Sequence, residues 1–359
     1  MNAPPYTHST LDLPAVVHKL RAPGGPVLVL THAKPDGDAF GSLVALVAAL
    51  RALGQTARGV FAPPVPAALA RLPGANLADV WTPEYALPFD PALCVVVDTG
   101  AWSQVGPLRP VLEPRLGRTL ILDHHLSGDL PAADRYVDPD AAAACEVIAE
   151  LIEILHPAGE RDPLPPGRRE TDTAGYAPLA PVIRDALFVG IASDTGWFRF
   201  SNVRPQTHEL AAKLIRQGTD HASLYQKLEQ AERPEKLALL TRALQNLSLH
   251  ARGTAALITL RQEDFRDTGA RPEETERLID TPQMVGGLEV FVVATEAEDG
   301  TTRLSFRSKP ASDDSAIDVS ALASRFGGGG HARAAGAKVD RPLDEVLPGI
   351  TAALDALAP

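Results

Sequence analysis

Through the first half of the chain, short apolar runs alternate with longer stretches whose hydrophobic positions recur every three to four residues. This is the pattern of a parallel sheet with crossover helices. PVLVLTH (26–32), LCVVVD (93–98) and TLILD (119–123) read as strands. GSLVALVAALRALG, closed by Gly54 as a C-terminal cap, AACEVIAELIEIL and VIRDALFVGIASD read as helices. Each of the three strands runs into a carboxylate or a histidine. In open α/β sheets the carboxyl ends of the strands line the ligand crevice, so chemistry is expected there.

Residues 157–181, PAGERDPLPPGRRETDTAGYAPLAP, break every periodicity and read as a surface insertion. From 206 to 250 the pattern is helical, through HELAAKLIRQG, ASLYQKLEQAE and PEKLALLTRALQNLSL, and it turns to β at TAALITL (254–260). The strands LEVFVVATE and TTRLSFRS, the helix VSALASRF, a glycine run and a terminal helix follow. The expected fold is α/β: a first domain over 1–205 with a parallel sheet flanked by helices, a helical linker over 206–250, and a smaller α/β domain over 251–359.

Composition narrows the function classes. Of 359 residues, 45% are hydrophobic and 22% charged, enough for each domain to bury a core. No run of 18 uncharged apolar residues occurs, and MNAPPYTHSTLDLPAVV lacks the features of a signal peptide, so a cytoplasmic protein without membrane insertion is expected. Two cysteines, Cys94 and Cys145, are too few for a disulfide scaffold. With 34 Lys+Arg against 45 Asp+Glu, the net charge of −11 disfavours a protein that coats duplex nucleic acid. Small anionic substrates remain, because a cationic pocket or bound metal reverses the field locally.

HAKPDGDAFGS places His32, Asp36 and Asp38 on a turn between a strand and a helix, with Pro35 and Gly37 setting the backbone. Taken alone, Asp38 reads equally as a helix cap and Asp36 as a turn residue. Asp98 ends the second strand, Asp123, His124 and His125 follow the third, and Asp194 precedes a glycine-containing break after a helix. Each has a bland reading by itself, but the joint pattern has the mixed nitrogen and oxygen donors that suit Mn²⁺, Mg²⁺, Co²⁺ or Zn²⁺. Two divalent ions are implied, of the kind that sit about 3.5 to 4 Å apart and lower the pKa of a bridging water.

The sequence here resembles a known family. HAKPDGDAFGS, VVVDTG, LDHH and GIASDTG look like motifs I to IV of the DHH phosphoesterases, in order. SFRSK (305–309) and GGGGHARAAGA (327–337) look like the DHHA1 domain of that superfamily. The two blocks span nearly the whole chain, and the short architecture is similar to the oligoribonucleases that also dephosphorylate 3′-phosphoadenosine 5′-phosphate (pAp).

Carried over by motif position, the resemblance implies that His32, Asp36 and Asp98 hold one metal and that Asp38, Asp98, His124 and Asp194 hold the second, most often Mn²⁺ (with Mg²⁺ or Co²⁺ as alternatives). Asp123 then orients a histidine, and His125 contacts the scissile phosphate. Arg307, Gly328, Gly329, Gly330 and His331 are read as a phosphate clamp on a structured loop. The partners implied are short single-stranded RNA or DNA and nucleotides such as pAp. The activity implied is 5′ to 3′ exonuclease action releasing nucleoside 5′-monophosphates, in a homodimer. The rivals are a cyclic dinucleotide (c-di-AMP or pApA) phosphodiesterase, a manganese-dependent pyrophosphatase, disfavoured by the C-terminal motifs, and a non-catalytic nucleotide sensor. The chain departs from the family in TGAWSQVG after Asp98 and in Ser127-Gly128 after the histidine pair, neither at an expected ligand.

Overall fold

The structure, a computed structural model, describes residues 8–156, 179–275, 278–309 and 317–357. The chain divides into two compact units, Met1–Ala231 and Glu232–Pro359.

The first unit runs through α1 (Leu13–Arg21), β1 (Val27–Ala33), α2 (Gly37–Ala52), β2 (Ala57–Ala62), β3 (Ala78–Val80), β4 (Leu93–Val97), α3 (Arg109–Leu112), β5 (Thr119–Asp123), β6 (Asp134–Val137), α4 (Ala144–Leu155), α5 (Pro181–Asp194), α6 (Pro205–Arg216) and α7 (His221–Glu229). Among the described residues these strands form one sheet in the order β3-β2-β1-β4-β5-β6, with every neighbouring pair parallel. The chain leaves β1 outward through β2 and β3, then returns to place β4 on the other side of β1. Connections diverge at that reversal and open a crevice at the carboxyl ends of β1 and β4.

The strands are apolar along their length because both faces are covered. Val27, Val29, Val95, Val97, Leu120 and Leu122 pack with helices α1, α2, α4 and α5, while Leu28, Leu30, Cys94, Val96 and Ile121 pack on the opposite face with Val105, Leu108 and Val111. Helix α2 is buried from Gly37 to Leu50, and Gly54 beyond it stops the helix at φ +77.

Close approach of α2 to α5 is built on glycine. A Cβ on Gly41 would stand 2.3 Å from the Ala186 carbonyl oxygen, and one on Gly37 would stand 2.5 Å from the Ser193 side chain. Neither contact is tolerable, so side chains are excluded where the two helices meet.

The second unit contains α8 (Pro234–Gln245), β7 (Leu247–His250), β8 (Ala255–Leu260), α9 (Gln262–Thr268), β9 (Val290–Glu296), β10 (Thr302–Ser308), α10 (Val319–Ser324), β11 (Gly329–His331), β12 (Ala334–Val339) and α11 (Leu343–Asp355). Its sheet has the order β11-β12-β10-β9-β8-β7, with β8 and β9 parallel and the remaining pairs antiparallel. Val290, Val292, Leu304 and Phe306 face a core that includes α10 and α11, whereas Phe291 and Val293 face one that includes Leu239 and Ala243 of α8. Beyond β9 no described element of this unit covers that second face. Arg303 and Ser305 of β10, Gly336 and Lys338 of β12, and His331 of β11 are exposed.

The 206–250 stretch is shared between the units. Helices α6 and α7 pack on α5, whereas α8 packs on α9 and β8. LSLH, expected as the end of a helix, is strand β7, because it pairs antiparallel with β8 at the sheet edge. The expected insertion at 157–181 lies outside the described residues as far as 178, and Pro181 occupies the first turn of α5. Among the described residues no helix is long and apolar enough to cross a membrane.

Candidate metal centre

The crevice at the reversal point collects the side chains that end β1, β4 and β5. Between His32 and Pro35 the chain turns through Lys34 at φ 55, and directly after β4 it turns through Asp98 at φ 60. Left-handed backbone at Lys and Asp is strained, and such residues cluster where geometry is held for chemistry. The bend leaves the Asp98 carboxylate between two imidazoles, with Oδ2 3.3 Å from His32 Nε2 and Oδ1 3.6 Å from His124 Nε2. Asp36 completes the first set, its Oδ1 3.9 Å from His32 Nε2. The same Oδ1 accepts the Asp38 and Ala39 N–H groups at 2.9 and 3.0 Å, so Asp36 and not Asp38 caps α2.

Asp38, freed from capping, points into the protein with 0% of its surface exposed. Its Oδ2 accepts the Ala144 N–H at 2.6 Å and its Oδ1 the Cys145 N–H at 2.9 Å, both at the start of α4. His124 Nδ1 donates to the Ala141 carbonyl at 3.1 Å, which fixes the tautomer. Its Nε2 is thereby left buried without a hydrogen-bond partner, 3.8 Å from Asp194 Oδ2. The ligand atoms of His32, Asp36 and Asp98 lie within 4.8 Å of one another, as do those of Asp38, His124 and Asp194 and those of Asp98, His124 and His125. A buried imidazole nitrogen without a hydrogen-bond partner, facing carboxylates, can exchange its proton for a divalent cation, and the six expected ligands lie within these groups.

Proton affinities express the same demand for positive charge. Burial would lower the His32 pKa, but the hydrogen bond and charge of Asp98 outweigh it and raise it to about 9. His124 is raised to about 10, against its own burial, by Asp98, Asp38 and Asp194. Burial also raises Asp194 to about 6 and Asp38 well above the carboxylate range, with the Asp98 charge adding to both. Asp98 alone goes down, to about 2, because the two imidazoles outweigh its burial.

Asp123 and His125 form a separate pair. Buried Asp123 accepts from the His124 and His125 N–H groups at 2.8 and 3.2 Å and from His125 Nδ1 at 2.8 Å, all on one oxygen. That hydrogen bond raises the His125 pKa, while the His125 side chain remains 55% exposed.

Several supporting residues carry no sequence signature. Asn202 donates its amide to the Ala142 carbonyl at 3.0 Å and to the Asp194 carbonyl at 3.3 Å. Glu146 accepts from the Ala142 N–H at 3.0 Å, from the Arg204 guanidinium and from the Thr207 hydroxyl. The segment from Ala141 to Cys145 therefore ties together His124, Asp38 and the turn after Asp194, acting through its backbone. Gly190 did leave a signal, a glycine inside a helical pattern four residues before Asp194. A Cβ there would lie 2.0 Å from Cys145 Sγ and 2.7 Å from Asp38 Oδ1.

In the second unit, pairing places Arg307 opposite Ala334 and Ala334 opposite His331, so the two expected clamp residues share one row and one face of the sheet. The glycine run is an edge strand from Gly329 rather than a loop. Gly328 and Gly330 are required by close approach to β12, since a Cβ would lie 2.1 Å from the Gly336 carbonyl oxygen and 2.6 Å from that of Ala334. Gly329 faces open space.

The profile of the DHH family, N-terminal domain, matches residues 26–191, and that of the DHHA1 domain matches residues 254–358. The bifunctional oligoribonuclease and PAP phosphatase NrnA of Thermus thermophilus is 30% identical over 343 residues, covering 93% of this chain and 92% of that protein. The protein of the same name from Bacillus subtilis is 26% identical over 325 residues, covering 87% of this chain and 89% of its own length. Among solved structures, an exopolyphosphatase-related protein from Bacteroides fragilis shares the fold with a TM-score of 0.81 at 19% identity, over 96% of this chain and 95% of that one.

Two predictions follow from this geometry. Gly190→Ala forces α5 away from α4 and Asp38, costing about 1–3 kcal/mol of stability. Because the displaced group is a candidate ligand, Mn²⁺ affinity falls a further roughly 10- to 100-fold in protein that is still folded, read by calorimetric titration below the melting temperature. Unchanged affinity contradicts the role given to Asp38. Separately, His32 and His124 hold protons at neutral pH until a cation displaces them. Mn²⁺ affinity therefore rises between pH 6 and 8, by up to about one decade per pH unit for each proton released. Titrations in buffers of different ionisation enthalpy reveal the released protons, and a flat affinity with no release rules the displacement out.

Proposed function

Since the chain belongs to the DHH family, with a DHHA1 domain after its first unit, we propose that it is a metal-dependent phosphoesterase. It shortens very short oligonucleotides from the 5′ end to nucleoside 5′-monophosphates and removes the 3′-phosphate of pAp. The observation that carries this reading is Asp98, whose two oxygens face two different imidazoles, His32 of one candidate donor set and His124 of the other. The naming of the Thermus thermophilus and Bacillus subtilis relatives as oligoribonucleases and PAP phosphatases supports the substrate class.

In this reading His32, Asp36 and Asp98 hold one cation, and Asp38, Asp98, His124 and Asp194 hold the other. Two divalent ions, Mn²⁺ by preference, supply Lewis acidity and a water of lowered pKa when bound. Asp36 and Asp194, whose proton affinities burial raises, would each offer a carboxylate oxygen to the cation of its set. His125, although its ring nitrogen also lies near Asp98 and His124, is given a different role. Its Nδ1–H is committed to Asp123, and the resulting bias toward the protonated ring lets Nε2–H donate to a scissile phosphate oxygen where charge builds up. The fixed ring needs no reorganisation to do so.

Arg307 and His331, in one row on the open face of the second unit, are the candidates for the substrate's 5′-phosphate, with the exposed backbone at Gly329 beside them. A 5′-phosphorylated dinucleotide and pAp both carry that group, and both carry a phosphorus on the 3′ oxygen of the same ribose. One chemistry therefore serves both substrates: water attacks the phosphorus on the 3′ oxygen, the P–O3′ bond breaks, and the nucleoside 5′-monophosphate leaves with its 3′ oxygen taking up a proton. The attacked phosphoryl group stays as the 5′-phosphate of the second nucleotide in the one case and becomes inorganic phosphate in the other.

A series of 5′-labelled oligonucleotides lengthening from pApA, with Mn²⁺ and with Mg²⁺, and with pAp and cyclic di-AMP alongside, tests this directly. The expected result is cation-dependent loss of the 5′ nucleotide, activity that fades as the chain lengthens, and turnover of pAp. Shortening from the 3′ end, or equal rates on long chains, overturns it, and faster opening of the ring would favour the cyclic dinucleotide reading. Arg307→Ala lowers kcat/KM on pApA by roughly 10- to 150-fold, the worth of a charge-assisted phosphate contact. On a small diester without a 5′-phosphate the loss is smaller, and equal losses would remove Arg307 from phosphate recognition.

A further inference from the structure

The groups placed in the metal centre and on the open face of the second unit recognise phosphate, and phosphate alone does not distinguish a nucleotide from any other ester. The loops that leave the centre carry side chains of a different kind. Leu126, directly after His125, is 69% exposed, and Phe200, six residues after Asp194, is 55% exposed. Trp102, four residues after Asp98, is half-buried under the Arg109 guanidinium, 4.5 Å from its ring centroid. Apolar side chains thus follow the acidic residues of the centre within a few positions of the chain on three of its turns.

Phe200 differs from an incidental surface residue in being held in place. Its N–H donates to the Thr195 carbonyl at 3.1 Å, and its ring lies over Gly196, where a Cβ would come within 2.4 Å of ring carbon. Gly196 has φ +55 and leaves the ring room. Arg199 Nε is fixed to the Gly196 carbonyl at 2.6 Å, and its guanidinium stands 5.8 Å from the Phe200 centroid. Two residues on, Asn202 anchors the turn to the Asp194 carbonyl. The neighbouring aromatics of the same WFRF segment go inward. Trp197 packs against Phe188 and Tyr225, and Phe198 stacks on His208, both from left-handed backbone at φ 58 and 64. Two rings of three serve the core, and the third is displayed with one face against glycine and much of its surface in solvent.

We propose that Phe200 is a nucleobase platform: its free face stacks on the base of the nucleotide whose phosphate is hydrolysed. The proposal rests on the phosphoesterase reading above and deepens it by naming what makes the substrate a nucleotide. Every base has a π-face, so stacking on one ring accepts all sequences while rejecting esters without a base, and it favours the larger purines. A preorganised ring also loses little freedom when the base arrives.

The test compares kcat/KM for pApA with that for dinucleotides made abasic at either position, in wild type, Phe200→Ala and Phe200→Trp, with Mn²⁺ affinity measured by calorimetry on each. Wild type prefers pApA over one of the abasic forms by about tenfold or more. In Phe200→Ala that ratio falls toward one through KM, in Phe200→Trp it is restored, and Mn²⁺ binds all three alike. A ratio that survives in Phe200→Ala overturns the proposal. So do equal losses on intact and abasic substrates, or lost Mn²⁺ affinity, since either makes Phe200 a support for the Asp194 turn. Should wild type hydrolyse no nucleotide at all, the phosphoesterase reading falls first. Equilibrium binding of AMP against ribose 5-phosphate, in wild type and Phe200→Ala, then decides the platform on its own.

Discussion

Four carboxylates brought into one crevice are the constraint on which the first unit is built. Asp38 and Asp98 are buried, Asp36 and Asp194 stand beside them, and charges of one sign a few ångströms apart in a weakly polar interior repel strongly. The fold answers with positive potential from several sources. The two imidazoles are pressed toward their charged forms, and the first amides of α4 are spent on Asp38, where the partial positive charge of a helix start is greatest. These devices moderate the repulsion but do not remove it, and the raised proton affinities of Asp38 and Asp194 mark the remainder. A pair of divalent cations removes it outright, and such a site trades folding stability for affinity.

Holding such a centre requires stiffness that side chains alone do not give. Asp38 comes from α2, Asp194 from the end of α5, and the amides that hold Asp38 from α4. Gly37, Gly41 and Gly190 let the three helices approach until backbone and sulfur atoms are in contact, and Cys145 fills the space a side chain at Gly190 would need. The separation of the ligands is then set by main-chain packing, which deforms little. The geometry of the candidate ligands and core packing are one property here, and the apolar burial of α2 from Gly37 to Leu50 helps to set it.

How much of this was legible in sequence depends on where each role resides. Strands β1, β4 and β5 are apolar runs because both faces are covered, and they end in the residues that matter. By contrast ARGVFA, ADV and DRYV, which form β2, β3 and β6, are short and mixed in polarity because they lie toward the sheet margins. The candidate ligands were readable because each is a polar residue at the end of a periodic element. Which of Asp36 and Asp38 caps α2 was not readable, since both fit the pattern and only the tertiary position of α4 decides. Asn202, Glu146 and the backbone from Ala141 to Cys145 act through carbonyls and amides that any residue owns. The glycine run is expected to bring its backbone close to an anion, and the structure adds a second demand on two of its members, close approach to β12.

Net charge and substrate size are linked by the same electrostatics. A chain of −11 meets a long polyanion with repulsion that grows with every phosphate lying outside the few places where cations or arginines face it. On the proposed reading a dinucleotide has no such excess, because its phosphates are the groups assigned to the metal centre and to Arg307 and His331. On that reading a preference for short substrates needs no steric gate, because each added nucleotide brings a charge beyond those assigned a partner among the described residues. Raising the ionic strength screens that penalty while also weakening the contacts to the terminal phosphate, so the two effects separate by length. Short chains lose affinity as salt increases, and longer ones lose less or gain.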